Sequence, residues 1–499
     1  MMLTRSVAAL LLILTTTYTP GMLELSQILC VSVPPVYRGW LHLVRHIMKR
    51  RCERNPFVLL AAVFVTACLC GCDIVTVTQP EDKDETVVEA AIFEGGFGVD
   101  WHREIAAQYS ELNRARNVRI ELWADPRVEE KIRPRILRGS PPDIADAFLP
   151  YWKLIVAGKA YPLDEFLDSP AYDTPGKTWR ETFVPGVLEA FTYQGKTYGV
   201  PLILNAWMTW YDRRQFREHG WEVPRTWAEF TALCDKIKAE GIAPLAFQGK
   251  YPEYAWWTFL TLVQRIGGVE TFYRTQNLEP GALLLPEVVR AATMVQDMAL
   301  KYFQRGSSAM THTESQIEFV NGRAAMIFCG LWLENEMREA TPPDFEMSCF
   351  NVPAVEDGRG NPLALHCGGG HYWMIYTDTR HHQEAGRFLK YAFSVANAGD
   401  FARRVDTLTA IRGSVDPDEV SPTLLPAYYA IEQAPFLFAE RLTLLYPQWN
   451  NDVMVNAIGP FVRGEISPRR FCELLEEGLE EVRQDPDIYK PPPVMWQGS

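Results

Sequence analysis

Gly195-Lys196-Thr197-Tyr198-Gly199-Val200-Pro201-Leu202-Ile203-Leu204-Asn205-Ala206-Trp207-Met208-Thr209-Trp210-Tyr211-Asp212 is the stretch on which the fold turns. Tyr198–Leu204 reads as a short buried strand, opened by Gly199 and Pro201 and filled by Leu202, Ile203 and Leu204. Met208–Tyr211 reads as a second strand, rich in aromatics. Asn205 stands between them, one amide in an apolar run. Buried without a partner, such an amide costs on the order of 1–3 kcal/mol. Two readings follow: the chain crosses here from one lobe to another with Asn205 facing the gap, or Asn205 caps its own turn in an ordinary strand-loop-strand.

Outward from that stretch, strands and helices alternate. Val87–Phe93 is a strand pattern, followed by the turn Glu94-Gly95-Gly96-Phe97-Gly98 and a helix over Asp100 to Leu112. Glycines there let a ligand approach backbone N–H groups, yet the spacing matches no phosphate-binding loop. Val118–Leu122 and Ile144–Phe148 read as strands around a helix at Val128–Leu137. This spacing predicts a parallel sheet flanked by helices, with its ligand crevice at the carboxyl ends of the strands. Further on, Thr226 and Glu229 form a capping box for a helix to Lys238. Trp256–Ile266 reads as a helix closed by Gly267-Gly268, and Pro286–Tyr302 and Ser315–Asn321 as two more. Ala324–Phe328 and His371–Tyr376 are strand patterns, and Pro244–Phe247 is a shorter one. Glu384–Phe393 is helical, as is Pro422 to Arg483 with breaks at Pro426, Pro447, Pro460 and Pro468.

The chain of 499 residues holds two or three domains' worth of material, and 47% hydrophobic residues suit a sizeable core. A net charge of -13 argues against nucleic-acid binding, which needs a basic face. Fifteen Trp and twenty Tyr supply core, and also suit a cleft for flat, partly apolar ligands. The five cysteines after the leader, Cys234, Cys329, Cys349, Cys367 and Cys472, are widely spaced and odd in number, so no metal or disulfide framework is evident.

Met48-Lys49-Arg50-Arg51, the apolar stretch Phe57 to Ala67 and Leu69-Cys70-Gly71-Cys72 follow the order of a secretory signal. The last four residues resemble a lipobox, which makes Cys72 the lipid-bearing residue. The apolar run is shorter than the roughly 20 residues of a membrane span. Residues 1–47 are then an extra leader or an upstream artefact, residues 48–71 the signal peptide, and 72–86 a polar, flexible tether.

Taken in order, several short motifs resemble the extracellular solute-binding proteins of ABC importers, in the sugar-binding group that includes the maltose-binding protein. They are Gly139-Ser140-Pro141-Pro142-Asp143, Gly158 with Pro162-Leu163-Asp164, Gly195–Pro201, Trp210-Tyr211-Asp212, Pro224-Arg225-Thr226-Trp227, Phe319–Met326, Gly330-Leu331-Trp332 and Ala385–Leu389. The resemblance implies an α/β, two-lobe periplasmic-binding-protein fold of type II, hinge-linked, with the ligand between the lobes. It implies lobe 1 at residues 87–204, lobe 2 at 205–367, a return to lobe 1 at 368–440 and a C-terminal helical segment at 441–499 packing on the lobes. It also implies a carbohydrate ligand, a membrane permease with its ATPase as partner, export with lipid anchorage through Cys72, a monomer, and no cofactor, metal or catalytic residue.

For the cleft, the resemblance points to Asn205 at the first crossing, Trp332 as a stacking ring and Gly369 in the return crossing Gly368–Gly370. It adds Glu94 and Phe97 in the glycine turn, Tyr151 and Trp152 after Phe148, and Trp449 near the C-terminus. Each residue has a plainer role open to it. Glu94 could cap the next helix, Trp332 could be core, and Tyr151 and Trp152 point to opposite sides if extended. Glu314 and Gln316 read as solvated helix face, and Trp210 as core. The chemistry suits a sugar, whose C–H patches take aromatic faces and whose hydroxyl rim takes Asn, Asp, Glu or Arg. The rival classes are a secreted carbohydrate-active enzyme and a binding lipoprotein for another solute such as a glycerophosphate. A glycosidase needs paired carboxylates, for which Glu94 with Asp100 or Glu314 with Glu334 are the candidates. His366, Cys367 and His371 would be a metal or Cys-His site, but lack a third defined ligand.

Overall fold

A computed structural model describes residues 85–146, 151–369 and 372–494, with Tyr151 and Trp152 described in backbone only. In chain order the strands are β1 (Thr86–Phe93), β2 (Val118–Asp125), β3 (Ile144–Asp146), β4 (Thr192–Tyr193), β5 (Lys196–Thr197), β6 (Val200–Pro201), β7 (Leu204–Ala206) and β8 (Met208–Asp212). They continue with β9 (Ala243–Ala246), β10 (Ala324–Cys329), β11 (Met347–Phe350), β12 (Leu365–Gly369), β13 (Tyr372–Ile375) and β14 (Leu437–Phe438).

β1 carries Val88, Ala90, Ala91 and Ile92 in near-continuous burial, the mark of a strand covered on both faces. It is parallel to β2 and β3, and β13 closes antiparallel on β3 and β6, giving the order β2-β1-β3-β13-β6. The helix Asp100–Leu112 buries Trp101, Ile105, Ala106 and Tyr109 at helical spacing. Helices His382–Ala392 and Val395–Val405 pack beside it. A second sheet, β11-β8-β10-β9, forms around the wholly buried strands β8 and β10. Its long helix Tyr254–Gln276 packs on Pro286–Tyr302, which in turn carries the C-terminal helix Pro468–Gln484.

Between these bodies runs a third, small sheet in the order β14-β12-β7. β7 leads from the first sheet to the second, β12 leads back, and β14 leads out again to the C-terminal helices. β7 and β12 are antiparallel, with Asn205 opposite Gly368 and Leu204 opposite Gly369. β14 lies parallel to β12. Two lobes joined by three crossing strands is a hinge.

Several local expectations change. Tyr198–Leu204 is not one strand: Pro201 has no N–H to continue the ladder, and Leu202 and Leu204 turn to bond Ala410 and Leu408 instead. Asn205 therefore lies inside a strand, so the turn-cap reading falls. The helix that starts at Tyr254 does break at the glycine pair, where Gly268 leaves helical geometry at φ 82° and ψ 175°, and a second helical segment follows directly to Gln276. Pro426, Pro447 and Pro468 sit in the first turn of their helices, where a missing N–H is harmless, while Pro460 lies within Val455–Val462. All five cysteines in the described residues are buried and free. The leader and Cys72 lie outside the described residues.

Candidate functional site

Lobe 1 contributes the carboxyl ends of β1 and β3. The turn after β1 is held by Glu94 N–H donating to the Asp125 carbonyl and Gly98 N–H to that of Gly95. Phe97 leans on Phe401, with centroids 6.3 Å apart. Glu94 is exposed, and the helix Asp100–Leu112 has no side-chain cap, so Glu94 does not cap it. A small cavity opens beside this turn, lined by Phe93, Phe97, His102, Asp146, Ile203 and Trp373.

The hinge contributes Asn205. Residues opposite one another in an antiparallel pair project to the same face, and Asn205 faces a glycine. A Cβ added at Gly368 would meet nothing within 4 Å. The missing side chain leaves room beside the Asn205 amide, whose Oδ1 is enclosed and has no hydrogen-bond partner among the described residues. Gly369, the glycine picked from sequence, pairs with Leu204 instead.

Lobe 2 contributes the aromatics. Leu331 and Leu333 are buried, and between them Trp332 folds back over Gly330, where a Cβ would come within 1.9 Å of its ring. Only glycine fits beneath it. Trp332 stays half-buried and meets Tyr254 and Trp257 edge-on, each at 6.5 Å with angles of 78° and 73°. Trp207 completes the group at 5.8 Å from Tyr254 and 5.0 Å from Trp257, its Nε1 donating to Thr258 Oγ1. Burial raises the Tyr254 phenol far above its usual range, with Cys329 and Glu336 adding to the shift, so it remains a donor. Buried Gln316 donates to Glu336 Oε2 at 2.7 Å, and Gly96 of the lobe 1 turn lies against Glu336. The two sides of the cleft meet there.

Other nominated residues fall elsewhere. Trp449 is 3% exposed, donates from Nε1 to the Leu475 carbonyl and packs edge-on against Trp256. Its ring is helical core, not cleft. Tyr151 and Trp152 open the helix Tyr151–Val156, so the extended-chain geometry does not apply; their side chains lie outside the description. Trp210 is fully buried and donates to the Cys329 carbonyl. Sequence reasoning missed Tyr254 and Trp257, although their i, i+3 spacing was a legible signal for a shared helix face.

The rival chemistry finds no footing. Asp100 turns outward to Arg103, and Glu314 is tied into a capping box with Thr311, so neither proposed carboxylate pair spans the cleft. His366 is buried against the Trp257 carbonyl and Thr261 Oγ1, and burial lowers its pKa to about 4. Burial likewise pushes the Cys367 thiol up to about 12, leaving no activated nucleophile. Among the described residues no group of three His, Cys, Asp or Glu could hold a metal.

Asn205→Ala removes the hinge amide and is expected to weaken ligand binding by about 1 kcal/mol, roughly five- to tenfold. An unchanged dissociation constant by calorimetry would remove Asn205 from the site.

Two lobes, a three-stranded hinge and a polar, aromatic cleft define a solute-binding protein that captures without chemical conversion. Residues 98–399 match the bacterial extracellular solute-binding protein family, and the chain belongs to it. Membership makes it an exported protein working with a transporter. It is 24% identical over 424 residues to the diacetylchitobiose binding protein NgcE of Streptomyces coelicolor, covering 81% of this chain and 87% of that one. Its fold is similar to RafE from Streptococcus pneumoniae, with a TM-score of 0.65, 20% identity and coverage of 80% and 98%. A chitin oligosaccharide binding protein aligns with a TM-score of 0.67 and 19% identity, covering 80% of this chain and 99% of that structure.

Proposed function

We propose that this protein captures a mono- or oligosaccharide between its lobes and delivers it to an ABC permease. The observation that carries this reading is the cluster of Trp207, Tyr254, Trp257 and Trp332, whose Trp207 follows by two residues in the chain the hinge Asn205, with an amide oxygen unpartnered among the described residues. Aromatic faces take a sugar's C–H patches, and the amide takes its hydroxyl rim. Glu94 and Phe97 belong to the lobe 1 turn whose Gly96 lies against Glu336, and would reach the ligand from that side. No Arg or Lys joins the described residues gathered here, which disfavours an anionic solute such as a glycerophosphate. Similarity to a diacetylchitobiose binding protein makes that disaccharide the first sugar to try. Closing two half-sites around it yields a shape that the permease reads as loaded.

Titration calorimetry against diacetylchitobiose and a panel of other oligosaccharides tests this directly. Saturable binding with the sugar recovered intact supports it; no binding across the panel, or hydrolysed sugar, refutes it.

The same proposal places lipid on Cys72, with residues 72–86 tethering a monomeric binding body to the membrane. Cys72→Ala is expected to move the protein from the membrane fraction to the soluble fraction. Continued sedimentation with membranes would overturn the lipid anchor.

A further inference from the structure

The short helix Leu333–Met337, which begins on Trp332, is also a seam between lobes. Asn335 Nδ2 donates to the Asp406 carbonyl at 3.0 Å, and Arg338 Nη2 to the Val405 carbonyl at 3.0 Å. Both acceptors end the lobe 1 helix Val395–Val405, which packs on Asp100–Leu112. Asp406 then adopts a left-handed conformation, φ 49°, that turns the chain into Leu408–Ala410 beside Leu202–Leu204. A neighbouring residue of the same short helix, Glu336, touches the glycine turn of lobe 1.

Glu334 lies within this seam. Its Oε2 is enclosed and faces no hydrogen-bond donor among the described residues. Burial, and then the Asp406 carboxyl beside it, push its pKa up to about 8, while Arg338 pulls the other way. Arg338 is itself bonded to Asn335 Oδ1 as well as to Val405. The nearby cations of the facing helix are taken: Arg403 pairs with Asp400 and Glu419, and Arg404 with Glu104 and Asp400. Glu336, on the same helix as Glu334, receives the Gln316 amide. Among the described residues, Asp406 Oδ1 accepts the Ser421 N–H at 3.4 Å.

We propose that Glu334 and Asp406 form a proton-sharing clasp that seats the Trp332 helix on lobe 1, so that lobe contact, and with it solute retention, strengthens in acid. Glu334 is a positioning residue, acting through Trp332. In contact it holds a proton that a solvated glutamate releases near its ordinary value of 4.5. Contact therefore binds more protons than separation over the window between about 4.5 and about 8, and lowering the pH through that window favours contact. Above it, two half-buried like charges in the seam oppose closure. The effect on retention rests on the inter-lobe binding reading; the clasp itself does not.

Small-angle X-ray scattering on the full-length protein without solute, between about pH 5 and about pH 9, measures lobe separation. Wild type is expected to open as pH rises, the contact-to-separated ratio falling by up to about tenfold per pH unit, the one-proton limit. Glu334→Gln keeps the neutral form and should stay in contact throughout. Asp406→Asn, which a left-handed position accepts, removes the partner charge and should flatten most of the profile. A flat wild-type profile, or the wild-type profile retained in both variants, overturns the clasp. Calorimetry with diacetylchitobiose in buffers of different ionisation enthalpy supplies a second reading. Wild type should take up a fraction of a proton on binding near neutrality, and Glu334→Gln none; equal uptake in both overturns the coupling. If no sugar binds any variant, the carbohydrate reading fails while the scattering result stands.

Discussion

Trp332→Ala is expected to weaken carbohydrate binding by about 2–3 kcal/mol, roughly 30- to 150-fold in Kd. The ring is the part of lobe 2 that its own packing leaves half-open, held upright by edge contacts from Tyr254 and Trp257. A sugar face laid against it replaces solvent on a large apolar surface without displacing any core atom. The fold should tolerate the change, because the buried anchors on either side are Leu331 and Leu333. Melting should shift by only a few degrees, while the ligand-induced fluorescence change shrinks. Trp332→Phe should recover part of the affinity, since a smaller ring still offers a face. Calorimetry that returns wild-type affinity for the alanine variant would place the ligand elsewhere and break the link between this cluster and function.

What could be read from sequence divides by the range of the interactions involved. The helices Asp100–Leu112, Val128–Leu137 and Pro286–Tyr302 were legible to their ends, because periodicity and local start signals set them. Thr226 and Glu229 do form the capping box that their spacing announced. Asn205 was legible as a residue at the crossing, since an amide in an apolar run stands out. Its partner was not: pairing with Gly368 rather than Gly369 is a register set by strands more than 150 residues apart in sequence. Trp332 and Trp449 are the same residue type, and sequence alone nominates both. One is half-open over a glycine, the other sealed by Leu475 and Trp256, and that choice belongs to tertiary packing alone. Tyr254 and Trp257 were hidden among the core aromatics of their own helix, where Trp256 and Phe259 face inward.

Arg265→Met is expected to cost about 3–5 kcal/mol of stability and to lower the melting temperature by roughly 5–10 °C. Arg265 is 1% exposed and has no carboxylate among its hydrogen-bond partners. Burial lowers its pKa to about 9, yet it remains charged at neutral pH. Its guanidinium instead gathers backbone carbonyls, Nε to Val352 at 3.1 Å, Nη1 to Asn361 and Nη2 to Ala364 at 3.0 Å each, with the Gln264 amide oxygen beside them. The loop thus wrapped also presses Gly358 and Gly360 onto the helix backbone, where a Cβ would come within 2.1 and 1.9 Å of the Arg265 and Gln264 carbonyl oxygens. That loop ends in β12, the strand that sets Gly368 opposite Asn205. Methionine fills the volume but takes the donor from the buried Val352 carbonyl, at about 1–3 kcal/mol before relaxation. It also removes the strongest donors to the Asn361 and Ala364 carbonyls, which keep only the Gln264 and Asn351 side-chain amides and the Ala364 N–H among the described residues. Arg265→Lys should rescue little, because one ammonium cannot reach carbonyls spread around a planar fork. Sugar affinity should fall along with stability, as the hinge strand loses its anchor. Thermal unfolding of Arg265→Met that matches wild type would show that the loop holds its course without the cation, and that the register at Asn205 is secured by the crossing strands alone.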